Sequence, residues 1–512
     1  MKLEIFRPTD SLQDAHGRRR QSFVTRIRSD KDSAMKLNGT SSLLFARRIG
    51  EPHLMIILLL FVAGFGLRYA GVKFALANSQ DLVTDASRYM IIAQAILHLS
   101  YPYAREPVFP LVEAFSLLIF GSSIGVFRMT TAVLGSLVIP ATYKLGEIVR
   151  SKRVGLIAAG LVALDPFLVW NSTRGLREEL FSLILILLVY YAISASRDRF
   201  KTKAGVIEAL LAASLILTRL ESAAITIGIC GFVVWYASLK GWKRPIAYVL
   251  AILSSTVGAV AGWMLFSWRQ FGDPTATTNA LASGWYLYEF GVTREVTMLE
   301  YLFKVHTPQQ FVFMWILGIA RIFNNLLSFY LGIVGLSLAI VGFLYLHKSP
   351  GTVLIDAVLV SYIAPTAFFY GVSYGNDYRL LFPIFPLFYC LIAVVVVSLI
   401  HLSQIWEQAI SSRVSFNIRV TSRVRLTLRL SHFCYVLIFC VICHQIWTYA
   451  ILQSAFQQQW PILIGEYFPA SAYARDILVG DLAVMAMVGV WLSMMAVASL
   501  ALLSRSQNVT RK

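Results

Sequence analysis

Apolar stretches of roughly 20 residues recur along this chain from Ile56 to Leu503, and that recurrence decides most of what it can fold into. A helix needs about 20 mainly apolar residues to cross the hydrocarbon core of a bilayer. No water is present there to satisfy backbone N–H and C=O groups, so long segments of this kind cross as α-helices, which close their hydrogen bonds internally. The sequence is 57% hydrophobic and 14% charged, which excludes an ordinary soluble domain. The fold class expected is an all-α polytopic membrane protein.

Spans are read at 53–71, 124–149, 154–171, 180–196, 205–218, 222–239, 245–268, 323–347, 351–370, 380–401, 431–453 and 480–503, about 12 in all. Val108 to Phe120 is also apolar but short, between Pro107 and Gly121, and suits an interfacial or re-entrant segment. Positive charge decides whether to count it. With it left out and residues 1–50 cytoplasmic, the basic clusters at 150–153, 197–203, 240–244 and 413–429 all fall inside, as the positive-inside rule requires. Counting it as a span destroys that separation. Both termini are then cytoplasmic. Residues 1–50 form a disordered basic tail, within which Met35 is an alternative start, 51–400 a catalytic transmembrane region with an outer loop at 72–123, and 401–512 the last helices with a basic cytoplasmic loop at 402–430.

A formal charge of +18 raises the question of nucleic acid, but the basic residues lie between apolar spans and share no face with stacking aromatics. Their partners are membrane lipids. The five cysteines sit in apolar stretches, where they act as small hydrophobes. Cys440, Cys443 and His444 spell the spacing of covalent haem attachment, but in the middle of an apolar run, where helix packing is the plainer account.

Chemistry is expected in the outer connections, which hold Asp81, Asp85, Glu106, Glu178, Glu179, Glu221 and Asp377. In the first of them Asp85 and Tyr89 are one turn apart on an expected amphipathic helix, so a carboxylate and a phenol project to one side. Such a helix could equally rest on the headgroups with its charges in water. Arg174, Arg177, Glu178 and Glu179 lie between two spans, where Arg174 and Glu178 are spaced to pair. Tyr378 and Arg379 stand at the outer end of a span, where an arginine also serves as a headgroup anchor. Trp285, Tyr286, Tyr288 and Tyr301 in the loop 269–322 fit either a sugar or acceptor lining or an interfacial belt. Asn171-Ser172-Thr173 fits a glycosylation sequon.

Together these segments resemble the GT-C superfamily of membrane glycosyltransferases, in the branch of protein O-mannosyltransferases and the lipid A aminoarabinose transferase. Asp85 and Tyr89 match that branch's acidic residue and following tyrosine. Arg105-Glu106-Pro107, Phe120-Gly121 and Arg128 match its basic residue before proline, interfacial segment and span-opening arginine, and Tyr378, Arg379 and Pro383 approximate a later Arg-Tyr-x-x-Pro element with Tyr and Arg reversed. The resemblance is strongest over residues 81–180. It departs where Arg105-Glu106-Pro107 replaces lysine-proline-proline, where Glu178-Glu179 replaces an aspartate, and in having no counterpart of a large carboxy-terminal outer domain.

The resemblance implies a GT-C-like bundle that moves a sugar from a polyprenyl-phosphate donor to a lipid, glycan or protein acceptor at the outer face, in a bacterial plasma membrane. Such a donor carries its own leaving group, so one base and a phosphate clamp suffice in place of the carboxylate pair of a glycosidase. Asp85 is assigned as the base, giving inversion. Arg105 and Arg379 are assigned to the lipid phosphate, and Tyr89, Glu106, Glu178, Glu179 and Tyr378 to the rest of the substrates. No cofactor is called for. A divalent cation bridging carboxylate and phosphate is compatible with this scheme, although no His/Cys spacing marks a dedicated metal site. The rival readings are a transporter or flippase, which calls for paired half-structures and midplane charges, and a surface-polysaccharide ligase or polymerase.

Overall fold

The computed structural model describes residues 52–78, 82, 85–200, 202–242, 245–323, 328–345, 349–372, 378–409, 416–419, 425–428 and 436–448. The tail 1–50, Asp81, Asp377 and the span expected at 480–503 lie outside them. The described helices from Ile57 onward belong to one compact unit, the helical bundle.

Eleven of the twelve expected spans coincide wholly or in part with helices. They are α1 (Pro52–Asn78), α4 (Ile124–Val149), the pair α5 (Lys152–Leu164) and α6 (Pro166–Asn171), α7 (Glu178–Arg197), α8 (Thr202–Thr218), α9 (Ala223–Leu239), α10 (Pro245–Phe271), α13 (Ser328–Tyr345), α14 (Pro350–Val372), α15 (Phe385–Ala409) and α16 (Val436–Thr448). Between them lie α2 (Asp85–Leu97), α3 (Val108–Phe120), α11 (Ala276–Phe290) and α12 (Pro308–Arg321). Seven helical segments among the described residues are long and apolar enough to cross a membrane. The protein is an all-α polytopic membrane protein, with one short antiparallel hairpin at Phe416–Arg419 and Arg425–Leu428.

α15 is the hub. Of its apolar window 94% is buried inside the protein, against 22% for α1 and 17% for α10, so the outer helices turn most of their apolar surface to lipid. α4, α5 and α7 pack on one side of the hub, and α8, α9, α10 and α14 form a neighbouring group.

The span expected at 154–171 is broken. Asp165 leaves the helical region, its Oδ1 accepts the Leu168 N–H at 2.7 Å, and Pro166 opens α6. This is an N-cap followed by proline at the first helical position. Tyr389 of α15 donates its hydroxyl to Asp165 Oδ2. A break at this depth needs internal partners for the freed backbone, and Arg68, wholly buried, supplies some: its Nη2 reaches the Val162 carbonyl at 3.4 Å and its Nε reaches Ser172 Oγ at 3.1 Å.

α3 is 13 residues long, about 20 Å, too short to cross. Phe109, Glu113, Ala114 and Leu117 face the protein while Leu111, Phe115 and Leu118 are exposed, which suits the interfacial segment expected. α12 has no counterpart among the expected elements. It crosses α14 closely: a Cβ on Gly318 would lie 1.6 Å from the Ala367 carbonyl oxygen, and one on Gly371 2.0 Å from that of Met314. Backbone-to-backbone approach through small residues is how helices pack without a hydrophobic drive between them.

The haem spacing resolves as packing. Cys440 and His444 are buried on α16, with His444 Nε2 3.3 Å from the Tyr330 carbonyl.

Candidate active site

Asp85 opens α2, and the buried face of that helix is Ala86, Tyr89, Ile92 and Ala93, the spacing of one helical side. Tyr89 is 2% exposed, edge-on to Phe109 at 5.1 Å. Burial raises its phenol above the ordinary tyrosine range, and the nearby Arg177 opposes this only in part. The Asp85 carboxylate turns to two arginines. Oδ1 accepts from Arg105 Nη2 at 2.9 Å and Oδ2 from Arg379 Nη2 at 2.6 Å, while Arg88 stands 3.8 Å away and mostly exposed. Burial alone would push this carboxyl up, but Arg379, Arg105 and Arg177 overcome it and hold it well below the usual carboxylate range.

Each arginine is itself positioned. The Arg105 carbonyl accepts the Tyr101 hydroxyl at 2.8 Å, and Tyr101 packs against Trp263 and Phe266 of α10. Arg379 lies in the 3-10 segment Tyr378–Ile384 that leads into α15, with its Nε 4.0 Å from Glu178 at the start of α7. Tyr362 of α14 donates to the Leu380 carbonyl and accepts from Arg219 at 3.2 Å. The side chain of Tyr378, assigned to substrate from sequence, lies outside the described residues.

Glu106 makes a second centre. Its Oε2 is 2.5 Å from Arg177 Nη1, and its Oε1 accepts the Leu220 N–H at 3.3 Å. Arg177 also donates to the Thr218 carbonyl at 3.1 Å, and its guanidinium lies over the Tyr89 ring. It follows Gly175, whose φ of +74 brings the turn against Phe127, a conformation that favours glycine. Arg105, Glu106 and Arg177, with Glu221, Thr277 and Trp285, line a cavity of about 210 Å³. Of the four aromatics singled out in 269–322, Trp285 lines this cavity and Tyr301 is buried beneath it. Tyr286 packs on Phe290, and the side chain of Tyr288 is not described.

Glu179 parts from its neighbour. It accepts from Asn171 Nδ2 at 3.0 Å and is buried beside Arg68 and Ser172, so its contacts are with the α5–α6 break and not with the Asp85 cluster. Asn171 is fully buried in the same place, which leaves its sequon no room for a glycan. Arg177, Arg219 and Tyr362 were not assigned roles from sequence. The signal for the two arginines was there: charges flanking short corners between apolar spans have to find partners. Among the described residues no group of three or more His, Cys, Asp or Glu side chains is placed to hold a metal ion.

Residues 100–263 match the family model described as dolichyl-phosphate-mannose-protein mannosyltransferase. The chain resembles the GT-C membrane glycosyltransferases. The matched stretch holds Arg105, Glu106, Arg177, Glu178 and Glu221, and overlaps the segment on which the GT-C resemblance was read. No curated protein matches. Among solved structures, archaeal oligosaccharyltransferase AglB from Archaeoglobus fulgidus, in complex with an inhibitory peptide and a dolichol-phosphate, is 16% identical with a TM-score of 0.44 over 83% of this chain and 59% of that one. ArnT from Cupriavidus metallidurans bound to undecaprenyl phosphate is 13% identical with a TM-score of 0.46 over 84% and 76%. The chain thus spans less than two thirds of the AglB chain.

Proposed function

We propose that the protein is a glycosyltransferase that moves a sugar from a polyprenyl-phosphate donor to a lipid, glycan or protein acceptor at the outer face of the membrane, with inversion. The observation that carries this reading is the convergence of Arg105 and Arg379, from distant segments of the chain, on the one carboxylate of Asp85. Two planar guanidiniums a few ångströms apart can grip a phosphate with paired, charge-assisted bonds. They would stabilise the negative charge that builds on it as the sugar departs.

The same arrangement supplies a timing device. Held between two arginines, Asp85 is too weak a base to take a proton. A phosphate that draws the guanidiniums to itself relieves that hold, raises the carboxyl's proton affinity and makes Asp85 a usable base when the acceptor hydroxyl attacks. Tyr89, Glu106 and Glu178 hold the arginines and the loop in register around the reacting atoms. A lipid donor is supported by an apolar groove of about 370 Å³ walled by α12 to α15, among them Trp315 and Phe388, with α14 and α15 flanking Arg379.

The test is transfer of labelled sugar from polyprenyl-phosphate donors in membranes, at matched protein level. Asp85→Asn is expected to abolish transfer that the wild type performs. Turnover preserved in that variant removes Asp85 as the base.

A further inference from the structure

Phosphate binding and proton transfer account for Asp85, Arg105 and Arg379 but leave the 210 Å³ cavity behind Arg105 unexplained. We propose that this cavity seats the donor's glycosyl unit and selects a single neutral, hydroxyl-rich sugar, read by Glu221, Trp285 and Thr277. The inference rests on the proposed transfer of sugar from a lipid phosphate.

Arg105 belongs both to the Asp85 cluster and to the cavity wall. In a sugar phosphate the anomeric carbon is bonded to a phosphate oxygen, so a phosphate on Arg105 brings its sugar ring to this wall. The volume suits one ring. At about 30 Å³ for a water in the liquid, the cavity holds roughly seven waters, enough space for one sugar ring.

The charge of the wall excludes whole classes of sugar. It carries two guanidiniums and two carboxylates, and each has its own counter-ion: Arg105 faces Asp85 at 2.9 Å, Arg177 faces Glu106 at 2.5 Å, and Glu221 faces Arg219 at 3.7 Å. Among the described lining residues no charge of either sign is left over for a uronate or an ammonium sugar, which would lose its hydration opposite a wall already paired.

The remaining polar groups ask for hydroxyls. The indole Nε1 of Trp285 and Oε2 of Glu221 are buried and make no hydrogen bond, and a buried polar atom of that kind calls for an explanation. Thr277 Oγ1 accepts from Trp263 Nε1 at 3.0 Å, so its own proton is available to donate. The set comprises two donors and one acceptor, and a hydroxyl, neutral and able both to donate and to accept, answers either kind. The Trp285 ring is fixed against Tyr301, Phe368 and Phe369, so it is held in place before any ligand arrives. Leu281 and Met298 complete the wall with apolar surface suited to the C–H face of a ring.

The experiment measures the affinity of the purified full-length protein in nanodiscs for four probes: bare polyprenyl phosphate, and polyprenyl phosphate bearing a neutral hexose, a uronic sugar or an amino sugar. The wild type is expected to bind the hexosyl lipid at least tenfold more tightly than either charged-sugar lipid. Glu221→Gln, which keeps the shape of its side chain, and Trp285→Phe, which keeps an aromatic ring but loses the indole N–H, are expected to weaken the hexosyl lipid about tenfold each and to leave the bare lipid phosphate unchanged, which also reports that the variants are folded. Equal affinity for charged and neutral sugars, wild-type hexosyl affinity in both variants, or a parallel loss of the bare lipid overturns the cavity assignment while the transfer reading stands. Failure of the wild type to bind even bare polyprenyl phosphate overturns both.

Discussion

A carboxylate shared between two guanidiniums in a partly buried site is a competitor as well as a partner. Whatever anion Arg105 and Arg379 are built to receive has to displace Asp85 from them, and so Asp85→Asn has two separable effects. It removes the proton acceptor, and it frees the clamp. The variant is expected to bind bare polyprenyl phosphate at least as tightly as the wild type while transferring nothing, whereas Arg379→Ala weakens binding about tenfold or more; equilibrium binding in nanodiscs checks both. The sign of the pH effect follows from the depressed Asp85 carboxyl. A carboxyl lowered in the folded state contributes stability above its unfolded value of about 3.9, which is lost only as pH falls through the lower folded value. Binding of the glycosylated lipid phosphate, a diester that stays singly charged, should therefore change little between about pH 8 and pH 5, whereas the bare monoester also carries its own second ionisation at about 6. Asp85, Arg105 and Arg379 were legible in the sequence as candidates because charges beside apolar spans are rare. Glu178 and Glu179 were not separable, because adjacent residues on a helix point about 100° apart and only the packed neighbours decide which one meets Arg379 and which meets Arg68.

At the scale of elements, hydropathy located the helices well because bilayer thickness sets their length. It could not see the break at Asp165-Pro166, since the apolar run continues across it and the capping partner Tyr389 is more than two hundred residues away. Nor could it see α12, whose 14 residues fall below the length of a span and whose role is contact with α14. That contact is testable. Gly318 has no room for any side chain, so Gly318→Val must force α12 and α14 apart, with a loss of stability of about 1–3 kcal/mol or more. A drop in the thermal unfolding midpoint in detergent, larger than that of Gly284→Val on α11, where nothing lies within reach of a Cβ, is the expected result.

For the whole molecule, the orientation rests on charge counting, and a labelling experiment addresses it directly. Leu99, beside the candidate active site loop, is 99% exposed, and Lys240 is exposed at the end of α9. Against a cysteine-free background, a membrane-impermeant maleimide should reach Leu99→Cys in intact cells and Lys240→Cys only after permeabilisation. The reverse pattern would put the candidate site on the cytoplasmic side and remove the argument for a lipid-carried donor. The four carboxylates Asp85, Glu106, Glu178 and Glu221 meet four arginines, Arg105, Arg177, Arg219 and Arg379, drawn from five separated parts of the chain. No local pattern could have announced that balance.

Two short helices with apolar outer faces hold the ends of the arginine pair. α3 follows directly on Arg105, and α12 grips the end of α14 on the side leading to Arg379; both keep apolar faces exposed. Their depth is thus set by where the hydrocarbon begins, and a bilayer too thick or too thin would pull the two halves of the arginine grip out of register. Reconstituted in phosphatidylcholines of increasing acyl length, the protein should show a maximum in transfer rate at one chain length, making the membrane itself a ruler for its chemistry.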